Sequence, residues 1–455
     1  RLLETLGVFG LRAKYMDAFH QHLLEEGISD DTERTTLSWP IVATQPPASL
    51  NRLKTIRRKA VPGESESANP FVHRGPTHVL GHKTDDPFLS YVYARRIVIN
   101  WYPKIKAIQS DQETPEIAAP TDERRFSRQH LDFLDLDRLY LEVEQFKTER
   151  RWHNLSLTVQ GLQDALADDG WYTIRCPKAV FGWETYANVG TWQEMAEALL
   201  KTYVERAYKF YARQWELPRL EYAELTEDNP NLTVGETASG REYQVSISAS
   251  RTVLVTQIRK LIADFRKKPT SSLKAISELK VSTFQSHLYA PLLHVTTKDI
   301  DVFPAVLNEG EFQFIEDLRK YCEEHQGTLA GKELYLLRNQ SRNRGVGFLE
   351  AQNFHPDFML WVLAGSTQHL AFIDPKGLRM LQPDDEKIGF HETVKELEAR
   401  LDDPAVVLHS FILSKTSYKD VKKLWKREKS ELERQNVLFQ EDSGHIQRML
   451  AAIDG

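Results

Sequence analysis

Asn353-Phe354-His355-Pro356-Asp357-Phe358-Met359-Leu360-Trp361-Val362, followed after Ala364-Gly365-Ser366 by Gln368-His369-Leu370-Ala371-Phe372-Ile373-Asp374-Pro375-Lys376-Gly377, is the stretch on which the fold turns. Each apolar run has the length of a strand and falls short of a helix, and the Gly-Ser break between them predicts a hairpin. A core hairpin ordinarily carries no charge, yet Asp357 opens the first run and Asp374 and Lys376 close the second. Side chains alternate along a strand, so Asp374 and Lys376 fall on one side, while Asp357 starts the antiparallel neighbour at that same end. Two carboxylates and an ammonium are therefore expected to converge beside a buried sheet. Withdrawing such charges from water is costly unless something pairs with them, and a divalent cation is an efficient partner for converging carboxylates. Pro-Asp and Asp-Pro-Lys-Gly are also ordinary turn chemistry, so either motif alone is weak and only the ordered set is informative.

Pro-Asp, a spacer, and Asp-x-Lys at the end of an apolar strand resemble the PD-(D/E)xK nuclease superfamily. Upstream, Leu307-Asn308-Glu309-Gly310-Glu311-Phe312-Gln313-Phe314-Ile315-Glu316-Asp317-Leu318 looks like the first helix of that fold, which often carries a further acid. Glu311, Phe314 and Leu318 share one helical face, so Glu311 is the expected helix acid, with Glu316 the second choice. The resemblance implies that Asp357, Asp374 and the Pro375 carbonyl bind one or two Mg2+ ions, with Glu311 assisting and Mn2+ able to substitute. Lys376 would then orient or help deprotonate the attacking water. Pro375 departs from the usual pattern: it fills the x position and brings no N–H to the strand end.

The composition suits such a protein without demanding it. At 455 residues, with 27% charged and 41% hydrophobic side chains, the chain has room for two or three ordinary cores. No apolar run has the length of a membrane span and no signal peptide opens the chain, so a cytoplasmic location without membrane contact is expected. Cys176 and Cys322 are the only thiols, which excludes a disulfide framework and a cysteine-based zinc site. The formal net charge of -6 does not announce a nucleic-acid binder, although a local basic surface suffices for binding.

Taken in order, the chain reads as a mixed α/β, multidomain protein in three parts. Residues 1–115 form an α/β region, with a helical pattern at Tyr15, Phe19 and Leu23 or Leu24, strand-like Trp39-Pro40-Ile41-Val42-Ala43, and the basic run Arg52-Leu53-Lys54-Thr55-Ile56-Arg57-Arg58-Lys59. That run is either a solvated face or a surface that tracks phosphates through Arg57 and Arg58. Pro/Gly/Ser-rich residues 60–70 and 109–123 read as linkers. Residues 125–295 are expected to form a mainly helical connecting domain, including a capping box at Thr191-Trp192-Gln193-Glu194. His73, His78 and His82 lack zinc spacing. Residues 300–455 form the mixed-sheet nuclease-like domain, closed by a helix near Glu392–Leu401, the strand Ala405–Leu413 and one basic helix over Thr416–Glu433. Lys422, Lys423 and Lys426 on that helix are candidate phosphate contacts.

This order of parts looks like the C-terminal portion of a type III restriction-like, superfamily 2 helicase-nuclease. It implies a DNA endonuclease of restriction or phage defence, with DNA as partner. Gly327-Thr328-Leu329-Ala330-Gly331-Lys332-Glu333 is too short for a phosphate-binding loop and has Glu where a hydroxyl should bind magnesium, so ATPase activity is not expected of this chain. A motor region or a partner subunit would lie outside it, and the opening on Arg1 within a helix-like pattern agrees with a longer protein. Two competing readings remain: a catalytically silent nuclease fold serving as a DNA-binding or assembly module, and a helical scaffold for partner subunits.

Overall fold

A computed structural model describes residues 34–59, 70–101, 122–183, 185–238, 240–269, 276–339, 356–379, 381 and 387–454. The expected helix around Tyr15 and most of both linkers lie outside these residues. The rest is a mixed α/β, multidomain fold, with several small sheets and one sheet of five strands.

The buried side chains gather in a way that cuts across the boundaries read near residues 115–125 and 295–300. One continuous core joins Trp39 and Ile56 to Val245, Phe265 and Leu292, and onward to Phe314, Leu360, Phe372 and Met449. A second core runs from Phe71 to Ala212 and is organised on the helix Ala187–Glu216. The strand Lys54–Arg58 pairs antiparallel with Leu220–Glu224, Arg58 lying opposite Leu220. The chain thus leaves the first core after Ile56 and re-enters it at Leu217, and the second core is built from the residues between. Composition marks a flexible stretch but cannot reveal that the strands on either side of an insertion pair with each other.

Two local expectations also change. Thr191 is not a cap: the long helix starts at Ala187, four residues earlier, where Asn188 Nδ2 donates to the Ala179 and Gly182 carbonyls and steadies the first turn. The region 125–295 is also less helical than expected, because strands at Leu220–Glu224, Leu279–Ser282 and Leu292–Val295 join Gly240–Ser248, the strand that the alternation of Tyr243, Val245 and Ile247 with polar residues predicts and that pairs with both Arg34–Pro40 and Ile300–Phe303.

The C-terminal sheet follows the predicted order. Helix α1 (Glu309–Glu324) leads into β1 (Lys332–Arg338), β2 (Phe358–Ala364) and β3 (Thr367–Lys376). Helix α2 (Phe390–Leu401) crosses to β4 (Val406–Ser414); α3 (Tyr418–Trp425) and α4 (Lys429–Arg434) precede β5 (Val437–Phe439), and α5 (His445–Asp454) ends the fold. The strands lie in sequence order, β1–β2–β3 antiparallel and β3–β4–β5 parallel. Gly365, at φ 60°, supplies the left-handed residue of the two-residue turn between Ala364 and Thr367.

Phe314 of α1 packs on Phe358, whereas Phe390 of α2 packs on Phe372. Phe358 is paired with Ile373, and Phe372 is its alternating neighbour, so the two helices cover opposite faces of the sheet. Both faces being covered, β2 and β3 read as nearly unbroken apolar runs. The single basic helix expected over Thr416–Glu433 is instead two: Lys426 takes a left-handed conformation at φ 54°, and Glu428 with Glu431 forms a capping box that starts α4 anew.

Candidate active site

Register brings the acids together. Phe358 of β2 lies opposite Ile373 of β3, so one step outward Asp357 stands abreast of Asp374. Two residues further along β3, Lys376 Nζ is 3.7 Å from Asp374 Oδ2, on the side that strand alternation predicts. The Pro356-Asp357 entry is held by Asn339, whose N–H donates to the Asp357 carbonyl (2.8 Å) and whose Nδ2 donates to the Pro356 carbonyl (2.8 Å). Asn231 Nδ2 in turn donates to Asn339 Oδ1 at 3.1 Å, tying this corner to a segment more than a hundred residues upstream.

Helix α1 contributes the third acid. Asn308 caps it, its Oδ1 accepting from the N–H groups of Gly310 (2.9 Å) and Glu311 (3.0 Å), while Glu311 Oε2 accepts the Asn308 N–H at 3.3 Å. This reciprocal box fixes Glu311 toward the sheet end. Arg338, the last residue of β1, reaches Glu311 Oε2 at 3.1 Å. Burial alone would lower the Arg338 pKa, but Glu311 together with Tyr289, Tyr243 and Asp357 outweighs it and leaves the guanidinium raised. The alternative acid, Glu316, is occupied by Arg319 at 2.8 Å and by the Ser282 hydroxyl at 2.6 Å, and does not line the site.

Asn308, Glu311, Asp357, Asp374, Pro375, Lys376, Gly377 and Lys415 line one cavity of about 380 Å3. Every residue expected to be catalytic or metal-binding is therefore in it. Asp374 is almost wholly buried, and burial, followed by the charge of Asp374 and a hydrogen bond with it, pushes the Asp357 carboxyl far above the usual carboxylate range. Two such groups cannot both ionise cheaply, and a proton on Asp357 is favoured over a second charge beside Asp374.

That acidity in excess of its local cations is the feature a divalent ion would relieve. Among the described residues no group of three or more His, Cys, Asp or Glu side chains forms a metal cage. The donors available, two carboxylates and the main chain at Pro375, suit Mg2+, which takes one or two carboxylates and keeps several waters, better than an all-protein zinc or calcium site.

The basic candidates divide. Helix α3, with Lys422 and Lys423, follows β4 on the Lys376 side of the sheet, since Lys376 and Ser414 are in parallel register. Lys422 is paired with Glu428 at 2.9 Å, and Lys423 and Lys426 are exposed. Arg57 is paired with Glu221 at 3.0 Å. Its strand is anchored through Lys54 to Gln368, at the start of β3 and so roughly 20 Å from Asp374. Neither Arg57 nor Arg58 lines the cavity. His82 is bonded to Asp168 and Tyr203, and His78 is stacked on Tyr211, both within the second core region.

Sequence reading missed Lys415, Arg338 and Asn308. Asn308 was legible as an Asn-x-x-Glu capping pattern. Lys415 and Arg338 gain meaning only from pairing, at the ends of β4 and β1.

Comparison of the chain with protein-family models, with curated proteins and with solved structures returns no match. No helix among the described residues is long and apolar enough to cross a membrane.

Proposed function

We propose that this chain is a metal-dependent endonuclease that hydrolyses DNA phosphodiester bonds, with Mg2+ held by Asp357, Asp374 and the Pro375 carbonyl, and that it serves as the nuclease part of a restriction-like helicase-nuclease. The observation that carries the reading is the meeting of Glu311, Asp357, Asp374 and Lys376 in one cavity, at the mouth of a sheet covered on both faces. Support also comes from the order of helix, strands, helix and strand read from the sequence, to which the structure adds β1 beside the hairpin.

When bound, Mg2+ would supply a more acidic water and neutralise charge on the scissile phosphate. The chain's own groups do the rest. Asp357 and Asp374 would present oxygens to the cation once Asp357 gives up its proton. Lys376, positioned by Asp374, orients the attacking water and stabilises the charge that develops as the new P–O bond forms and the bridging P–O bond breaks. Glu311 is committed to Arg338 and to the helix cap, so its part is to hold Arg338 and shape the wall rather than to ligate directly.

The test is nicking of supercoiled plasmid DNA with Mg2+, with EDTA and with Asp374→Ala. Cleavage that needs Mg2+ and disappears in Asp374→Ala supports the proposal. Mg2+-independent cleavage, or full activity in Asp374→Ala, refutes the site; DNA binding without any cleavage would return the chain to the silent-module reading.

A further inference from the structure

Among the described residues, Lys415 is the one charged residue lining the cavity that the mechanism above does not use. It follows directly on β4, and its N–H donates to the Lys376 carbonyl at 3.0 Å, so the two lysines leave adjacent parallel strand ends at the same level. Its stem crosses the first turn of α1: a Cβ at Gly310 would stand 2.3 Å from Lys415 Cδ, so a larger residue there would push the lysine stem aside. The ammonium lies 3.0 Å from Glu309 Oε2, and the Glu309 side chain is 76% exposed.

An ion pair with so exposed a carboxylate contributes little to stability, so Glu309 does little to hold the Lys415 ammonium against a competing anion. The pair is also easily exchanged. The first-turn N–H groups of Gly310 and Glu311 are already taken by Asn308 Oδ1, so the helix start is not what would receive an anion at this rim. A compact ammonium with three rotatable donors is suited to that task.

We propose that Lys415 is a phosphate-binding cation of this cavity, kept aimed by Glu309 until an oxygen of the nucleic-acid backbone displaces that carboxylate. This inference rests on the nuclease reading of the same site. Lys415 grips the substrate's phosphate, while Lys376 attends to the water. Glu309 acts as a placeholder that competes with substrate, and Gly310 is a positioning residue that lets the stem lie flat.

The experiment measures binding of a fluorescent DNA duplex by anisotropy, with Ca2+ in place of Mg2+, across a salt titration, alongside Mg2+-dependent cleavage. Wild type is compared with Lys415→Ala, Glu309→Gln and Gly310→Ala, with Asp374→Asn as the control for the catalytic reading. Lys415→Ala is expected to weaken binding about five- to twentyfold and to lower the salt slope by about 1. Gly310→Ala should reproduce part of that loss by displacing the stem. Glu309→Gln should tighten binding by about two- to fivefold, and it tests the same claim should Lys415→Ala fold poorly.

If wild type cleaves, Asp374→Asn does not, and Lys415→Ala and Glu309→Gln both keep wild-type affinity and slope, the role of Lys415 is overturned and the nuclease reading stands. If wild type shows no Mg2+-dependent cleavage, the nuclease reading falls and the assignment of Lys415 falls with it.

Discussion

Titration of the metal-free protein with a divalent cation should release close to one proton per ion bound at neutral pH. The reasoning begins at Asp357, whose carboxyl is raised far above its usual range by burial and by Asp374 beside it. A cation cannot be received by the pair until that proton leaves, so affinity is linked to pH. Between the ordinary carboxylate pKa and the raised one, each pH unit should tighten binding about tenfold, equivalent to ~1.4 kcal/mol. The sign for stability runs the other way in the absence of metal. A carboxyl with a raised folded-state pKa contributes most below the unfolded-state value and loses that contribution as pH rises toward the folded-state value, so the apo protein should weaken from about pH 5 to 8. A divalent cation should cancel the trend. Isothermal titration calorimetry with Mn2+ or Mg2+, in buffers of different ionisation enthalpy, gives the proton count directly, and Asp374→Asn should lose both the release and most of the affinity. Tight binding that releases no proton and does not vary from pH 6 to 8 would show that the pair is already fully ionised, and the electrostatic account of the site would be wrong.

The other predictions concern the surrounding cations. Lys376→Arg should keep cation and DNA affinity but lose cleavage by at least ~100-fold, because the planar guanidinium cannot orient the water as a compact ammonium does; near-wild-type turnover would reduce Lys376 to a counter-charge. Arg338→Gln strands Glu311 in the wall, and breaking that half-sealed pair should cost about 3–5 kcal/mol, read from the urea midpoint; a change under about 1 kcal/mol would mean that water reaches Glu311 freely. Neutralising Lys422, Lys423 and Lys426 together should weaken DNA binding irrespective of sequence and flatten its salt dependence, whereas Arg57→Ala, at the far end of the sheet and already paired with Glu221, should leave both unchanged.

The cavity was largely legible because its chemistry sits at strand ends within one local hairpin. Alternation fixed Lys376 beside Asp374, and the antiparallel turn returned β3 past Asp357, so both relations follow from spacing of twenty residues or fewer. Glu311 followed from the helical face it shares with Phe314 and Leu318, all three of which are buried. What spacing could not show was the pairing between distant segments. The insertion between Arg58 and Leu220 is invisible to composition, because its evidence is a strand pair separated by more than 160 residues. Thr191 misled for a related reason: a local cap signal was overridden by Asn188, which reaches back to the Ala179 and Gly182 carbonyls and extends the helix. Arg338 and Lys415 are ordinary basic residues until β1 and β4 deliver them to the same corner.

On the proposed function, the convergence of strand ends would also let a buried acidic pair and a polyanionic substrate share one cavity. While Asp357 and Asp374 keep a proton between them, the remaining negative charges of that pair, Glu311 and Glu309 are matched by Lys376, Lys415 and Arg338. A neutral corner can fold beside an apolar sheet without a large desolvation cost. Exchange of the single proton for a divalent cation adds one net positive charge, and it does so where Lys415 stands at the rim. On the proposed function the site would therefore attract a phosphodiester once it is loaded and be less inviting before. The ordering needs no moving lid: it follows from the proton that two adjacent aspartates cannot both give up on their own.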